Sequence, residues 1–191
     1  MGIAVIYGGN RSNGNTEILT ERAIKDLADD KIYLKDYTIQ AIEDMRHSEE
    51  GFQEVNDDFK ALIDRMLAHD TLVFSTPIYW YSMTGTMKNF IDRWSQIMRD
   101  PGYLDFKNQM SAKRGYVITV GGDDPYIKGL PLIQQFQHIF DFVTLPFVGY
   151  ILGKGNKPGE IYQDAQAIFA AVELQKNLKA GQGGSPRIPR Q

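Results

Sequence analysis

Apolar positions along this chain fall into two signatures, short continuous runs and helically spaced faces, and the two alternate. Residues 2–7 (Gly-Ile-Ala-Val-Ile-Tyr) form an unbroken apolar run, as in a strand buried on both faces. Residues 31–37 alternate apolar with polar and predict a second, less buried strand. Leu72, Val73 and Phe74 mark a third. It should end at Thr76, because Pro77 has no amide hydrogen and forces the residue before it into extended geometry. Residues 115–120 (Gly-Tyr-Val-Ile-Thr-Val) and 144–152, with Pro146 near its start, predict the fourth and fifth strands.

Between these runs lie helical faces. One follows the first strand and its loop, to about Leu27. A second carries Val55, Phe59, Leu62, Ile63, Met66 and Leu67; a third carries Met83, Met87, Phe90, Ile91, Trp94, Ile97 and Met98. A fourth carries Leu132, Ile133, Phe136, Ile139, Phe140 and Val143, and the last runs from Ile161 to about Lys179. Residues 39–52 are polar and acidic and read as a surface connection; residues 98–113, around Pro101-Gly102, read as irregular. The alternation predicts an α/β fold: one domain over residues 1–180, built on a doubly wound five-stranded parallel sheet of order 2-1-3-4-5 with helices on both faces. Residues 181–191 contain Gly, Pro and Arg and read as a mobile tail, or as an arm ordered only against a partner.

In such a sheet ligands bind beyond the carboxyl ends of the strands where the order reverses, here between strands 1 and 3. The two most ligand-like loops follow those strands. Gly8-Gly9-Asn10-Arg11-Ser12-Asn13-Gly14-Asn15-Thr16 is longer and richer in donors than helix capping requires, and opens a helix whose N-terminal N–H groups favour an anion. Thr76-Pro77-Ile78-Tyr79-Trp80-Tyr81-Ser82-Met83 places three consecutive aromatics directly after a strand, a wall for something flat. Together they fit a ligand with a phosphate at one end and a planar ring at the other. Gly121-Gly122-Asp123-Asp124-Pro125 is good turn chemistry and equally a third binding loop.

The first loop is neither a Walker A loop, lacking Gly-Lys-Ser/Thr, nor a dinucleotide fingerprint, lacking the spaced glycines. With no cysteine, a thiolate metal site, an iron–sulfur cluster and a cysteine nucleophile are excluded. The net charge of −3, with no basic stripe, gives no argument for nucleic acid, and no apolar run reaches membrane-spanning length. His47 reads as exposed, His69-Asp70 as a helix end and His138 as a packed or rim histidine; no acid–base pair or triad stands out. Cytoplasmic localisation is expected.

Through about Leu152 the chain resembles the flavodoxin-like NAD(P)H-dependent FMN reductases, also called NADPH-dependent FMN-containing oxidoreductases. Residues 8–16 are similar to their Gly-Ser-x-Arg-x-x-Gly-Asn-Thr loop. Residues 76–83 are similar to their Thr-Pro-x-Tyr-Trp-x-Ser-Met segment, followed at Lys88 to Arg93 by their Lys-x-Phe-Ile-Asp-Arg helix. The resemblance implies FMN as cofactor and NAD(P)H as electron donor. It implies that Arg11, Ser12, Asn15 and Thr16 hold the FMN phosphate, with Asn10 compensating for Gly9 where the family has serine. It implies that Pro77, Ile78, Tyr79 and Trp80 line the isoalloxazine, that Ser82 and Met83 close that loop, and that Gly121 and Gly122 approach the other ring edge. The expected acceptor is small: a quinone, a nitro compound or free flavin. A homodimer or homotetramer is also implied, with residues 98–113 and the tail as candidate contacts. The iron–sulfur branch of these flavoproteins needs clustered cysteines near residues 42–52 and is excluded. The rival reading is a flavodoxin-type FMN carrier, usually far more acidic than this chain; a scaffold of the same fold that binds no flavin is a third.

Overall fold

In the computed structural model, residues 2–181 are described. The predicted tail therefore lies outside the described residues, except Gly181, which ends the last helix. The strands are β1 (Ile3–Tyr7), β2 (Asp30–Tyr33), β3 (Thr71–Ser75), β4 (Arg114–Gly121) and β5 (Phe147–Lys154). They form one sheet in the order β2-β1-β3-β4-β5, and every neighbouring pair is parallel. The switch point falls between β1 and β3, as the sequence predicts.

The helices are α1 (Asn15–Ile24), α2 (Phe59–Leu67), α3 (Gly85–Asp92), α4 (Trp94–Ile97), α5 (Phe106–Ser111), α6 (Pro125–Lys128), α7 (Leu130–Phe142) and α8 (Ala165–Gly181). Because strand side chains alternate, the sheet feeds two cores. Ala4, Ile6, Leu72, Phe74 and Val117 point to the side covered by α2, α3, α4, α5 and α7. Val5, Val73, Ile118 and Val120 point to the side covered by α1 and α8. Phe74 centres the first core, with Trp94, Phe136 and Phe140 rings at centroid distances of 6.0, 5.7 and 5.1 Å.

Several expected boundaries move. The second strand stops at Tyr33, because the chain tightens into a 3-10 turn over Leu34–Asp36 that buries Leu34 in the first core. The long third helical face is broken at Arg93, between α3 and α4. Residues 98–113, expected to be irregular, contain a 3-10 turn (Pro101–Tyr103) and α5, whose Phe106 and Met110 are buried one turn apart. Helix α2 starts at Phe59, not Val55, and Ile161 lies in a separate 3-10 turn (Glu160–Gln163) before α8.

No helix or strand longer than the 3-10 turn forms between Tyr33 and Phe59. A buried ion pair holds this segment against α3 and α4. Arg93 Nη1 donates to Asp57 Oδ2 at 2.7 Å and to the Gln40 carbonyl at 2.9 Å, and its Nε donates to Gln96 Oε1 at 2.8 Å. Both charged side chains are almost wholly inaccessible, at 2% and 1%. The guanidinium also lies 4.5 Å from the Phe59 ring centroid.

Candidate functional site

Four loops meet above the switch point. The first leaves β1 at Gly8, whose N–H donates to the Ser75 carbonyl at 2.8 Å and whose carbonyl accepts from Thr84 Oγ1 at 2.7 Å. A Cβ on Gly8 would lie 2.8 Å from Met87 Cβ, so a side chain there would push the loop off α3. Thr84 also caps α3, its hydroxyl accepting from Met87 N–H. Asn13 takes a left-handed φ of 57° and turns the loop into α1. No side chain caps α1: its N-cap residue is Gly14. The helix's first N–H groups therefore face the cleft with its dipole behind them.

The second loop continues β3 beside β4. Thr76 and Ile78 N–H groups donate to the Ile118 and Val120 carbonyls at 3.1 and 3.0 Å, and Thr119 Oγ1 donates to the Thr76 carbonyl at 2.6 Å. These bonds fix Pro77 and Ile78 at the rim. The third loop follows β4, and the fourth follows β5. Gly155 N–H donates to the Gly121 carbonyl at 3.0 Å, and Glu160 accepts from the N–H groups of Asn156 and Lys157. Asn15 stitches the fourth loop to the first. Its Nδ2 donates to the Lys157 carbonyl at 2.9 Å, and its Oδ1 accepts from the Gly159 N–H at 2.9 Å.

The loops enclose a cavity of about 230 Å³. Of the residues implicated by sequence, Asn10, Arg11, Asn15, Thr16, Pro77, Ile78, Tyr79, Gly121 and Gly122 line it. Four do not. Ser12 Oγ accepts from Lys35 Nζ at 2.7 Å, outside the cavity. Ser82 Oγ donates to Gln135 Oε1 at 2.8 Å, and Met83 is buried in the first core. Trp80 points into solvent, 94% exposed. The Asn15 amide is occupied by the fourth loop, which leaves its backbone N–H for a ligand.

The sequence reading missed Asn156, Gly155 and Pro158, which supply a wall from beyond β5, and Tyr7, Tyr33 and Glu17, which line the cavity beside α1. The fourth loop reads as an ordinary Gly- and Pro-rich turn, and its ties to Gly121 and Asn15 bring it to the site. Tyr7 ends the first predicted strand, and Tyr33 falls inside the second. Their rings stack at 4.4 Å with planes 6° apart, and Tyr7 OH donates to the Glu21 carboxylate. Burial, then that carboxylate, raises the Tyr7 phenol far above its ordinary value; burial and Glu17 push Tyr33 up to about 12. Both stay protonated donors at neutral pH. At the opposite rim, Lys128 and then Tyr81 hold the Asp123 carboxyl below its usual range.

A parallel sheet whose cleft has an uncapped helix N-terminus at one end and a proline- and glycine-lined slot at the other defines the class: a doubly wound mononucleotide-binding protein. The sequence profile of the NADPH-dependent FMN reductases matches residues 1–156. Over 180 residues the chain is 57% identical to YwqN of Bacillus subtilis (strain 168), covering 94% of this chain and 99% of that one; its name designates an NAD(P)H-dependent FMN-containing oxidoreductase. A solved structure described as the Trp repressor binding protein from Bacillus subtilis superposes with a TM-score of 0.76 at 50% identity, covering 90% of this chain and 96% of that one. An FMN-dependent NADH-azoreductase from Bacillus anthracis str. Ames Ancestor, solved with FMN, shares the fold at a TM-score of 0.62 and 16% identity, covering 93% and 99%. The chain belongs to the NADPH-dependent FMN reductase family. It is an oxidoreductase with FMN as cofactor and NAD(P)H as electron donor.

Proposed function

We propose that the cleft holds FMN with its phosphate at α1 and its ring between Pro77–Tyr79 and Gly121–Gly122, and that the enzyme passes electrons from NAD(P)H to a small planar acceptor, a quinone or nitro compound or free flavin. The observation that carries this reading is the uncapped N-terminus of α1 opening into the same cavity as the glycine slot. The residues fit the cofactor at both ends. Among the described residues Arg11 forms no ion pair, so its charge is available to a phosphate beside the N–H groups of Asn15 and Thr16. Asn10 already accepts from Thr86 Oγ1 at 3.2 Å, which holds its amide in place at the phosphate end. At the slot, a Cβ on Gly121 would lie 2.9 Å from Ile78 Cδ1, and one on Gly122 would lie 3.0 Å from Asn156 Cβ. Glycine at both positions keeps the slot open.

FMN supplies the hydride and electron chemistry when bound, and the chain binds, orients and shields it. Pro77 and Ile78, fixed by β4, set the slot wall, and Tyr7 and Tyr33 close the cavity beside α1. Tyr7 and Tyr33, both raised by burial and neighbouring carboxylates, hold their protons near neutral pH, in keeping with a site built for positioning. Small-molecule turnover in the cytoplasm by a homodimer or homotetramer completes the reading. Exposed Phe142, Tyr150 and Phe169 offer apolar surface for contacts between subunits. Among the described residues no helix is long and apolar enough to cross a membrane.

The test is the visible spectrum of the purified, FMN-loaded protein, followed by NADPH or NADH without oxygen. Bleaching of the yellow colour, and its return on adding a quinone, is the expected result. A protein that takes up no FMN refutes the reading, and one that stays yellow refutes the donor.

A further inference from the structure

Only two of the side chains lining the cavity are charged, Arg11 and Glu17, and their charges cancel. Glu17 is fixed in place. Its Oε2 accepts from the Asn13 N–H at 2.6 Å, so one N–H of the phosphate loop is already taken by a carboxylate of the protein itself. A phosphate monoester carries a charge of about −1.5 to −2 near neutral pH. With Arg11 offset by Glu17, the α1 dipole is left to face that charge with the equivalent of about half a unit. The cavity wall alone is therefore short of positive charge at its phosphate end.

The missing charge stands one strand away. Strand β2 runs level with β1 and sets Tyr33 beside Tyr7. Two residues further on, β1 has given way to the phosphate loop, and the 3-10 turn Leu34–Asp36 buries Leu34 and leaves Lys35 half-buried. Lys35 Nζ donates to Ser12 Oγ, inside the phosphate loop, at 2.7 Å. It also lies 5.9 Å from the ring centroid of Tyr33, which is part of the cavity wall. Among the described residues Lys35 forms no ion pair, whereas Lys31 on the same strand is held by Glu21 at 2.7 Å. An ammonium whose contacts are a neutral hydroxyl and an aromatic face keeps its charge for an anion.

We propose that Lys35 is the second cation of the phosphate end. It is anchored through Ser12, acts on the FMN phosphate from just outside the cavity wall, and sets the preference for FMN over a flavin without phosphate. This rests on the reading that the cleft holds FMN with its phosphate at α1.

The experiment titrates the full-length protein, freed of any retained flavin, with FMN and with riboflavin, following flavin fluorescence at about 20 mM and about 0.5 M sodium chloride. Lys35→Met should weaken FMN about tenfold at low salt and only about twofold at high salt, because a charge near the surface is screened. Riboflavin should stay within about twofold at both. Lys35→Arg keeps the charge and should bind FMN within about threefold of the parent. Lys25 follows the last residue of α1. Lys25→Met removes the same charge about 15 Å away, beyond the screening length, and should leave FMN within about twofold. Unchanged FMN affinity in Lys35→Met overturns the proposal. An equal loss of FMN and riboflavin also overturns it, since Lys35 would then only brace the loop. So does a loss that persists at high salt, or one that Lys25→Met reproduces. A parent protein that takes up no FMN, or binds it no better than riboflavin, is detected before any variant is compared and removes the underlying reading instead.

Discussion

Removing the carboxylate of Asp57 should be among the costliest single changes outside the two apolar cores. In Asp57→Ala the Arg93 guanidinium stays inside the protein, 2% accessible, with its counter-charge gone. The N–H groups of Gln40 and Phe59, which donate to the same carboxylate at 2.9 and 3.1 Å, lose their acceptor as well. Leaving one buried charge unpaired costs about 3–5 kcal/mol, and the stranded N–H groups add to it. Against a total stability of about 5–15 kcal/mol, this corresponds to a melting temperature about 10 °C lower. Urea unfolding followed by circular dichroism measures it, and a cycle with Arg93→Met isolates the pair. The coupling should exceed about 1 kcal/mol, since the two side chains touch. A cost below about 1 kcal/mol for Asp57→Ala, or additive single changes, would refute the reasoning. The pH dependence has a definite sign. Burial alone pushes the Asp57 carboxyl up, but the Arg93 guanidinium with the Gln40 and Phe59 N–H groups outweighs it, and the net shift is downward. A depressed carboxyl stabilises the fold above its unfolded value of about 3.9, and this contribution disappears as pH falls through the folded value. The gap between parent and Asp57→Ala should therefore be widest near neutrality and shrink below about pH 4.

Arg11→Ala should weaken FMN roughly tenfold and leave riboflavin, which has no phosphate, unchanged in fluorescence titration. Asn15→Ala cuts the bonds to Lys157 and Gly159; it should cost about 1–3 kcal/mol in urea unfolding and speed amide exchange over residues 155–161. Gly122→Ala brings a Cβ to 3.0 Å from Asn156 Cβ, and FMN affinity should fall several-fold with little change in melting temperature. Gly115→Ala drives a Cβ to 2.7 Å from Phe140 Cε2, and calorimetry should show about 1–3 kcal/mol of overpacking, with FMN affinity unaffected.

Local signals carried the sheet order and most of the cleft into the sequence. The run Ile3 to Tyr7, the pair of loops after β1 and β3 and the stop at Pro77 each depend on near neighbours in the chain. What was hidden depends on distant ones. The break at Arg93 separates two helices whose apolar spacing reads as continuous, and the guanidinium there is partnered by Asp57. Helix α5 shows only Phe106 and Met110 to a periodicity test, too few for a pattern. Trp80 was assigned to the flavin wall because aromatics after a strand suggest a slot. The left-handed turn that swings it outward runs against the preferences of both residues. Asn156 reaches the site on a loop held by residues far away in the chain, Gly121 and Asn15.

That last tie has a consequence for synthesis. Asn15 is bonded to Lys157 across 142 positions. At about 5–20 residues per second, the phosphate loop leaves the ribosome roughly 7–30 s before the segment that steadies it. An emerging chain can form β1, the loop and α1 early, yet its cofactor cradle stays unfinished until β5 has added to the edge of the sheet. FMN would then be captured late by a nearly complete fold, and uptake of colour in a timed translation reaction would report the arrival of the fifth strand.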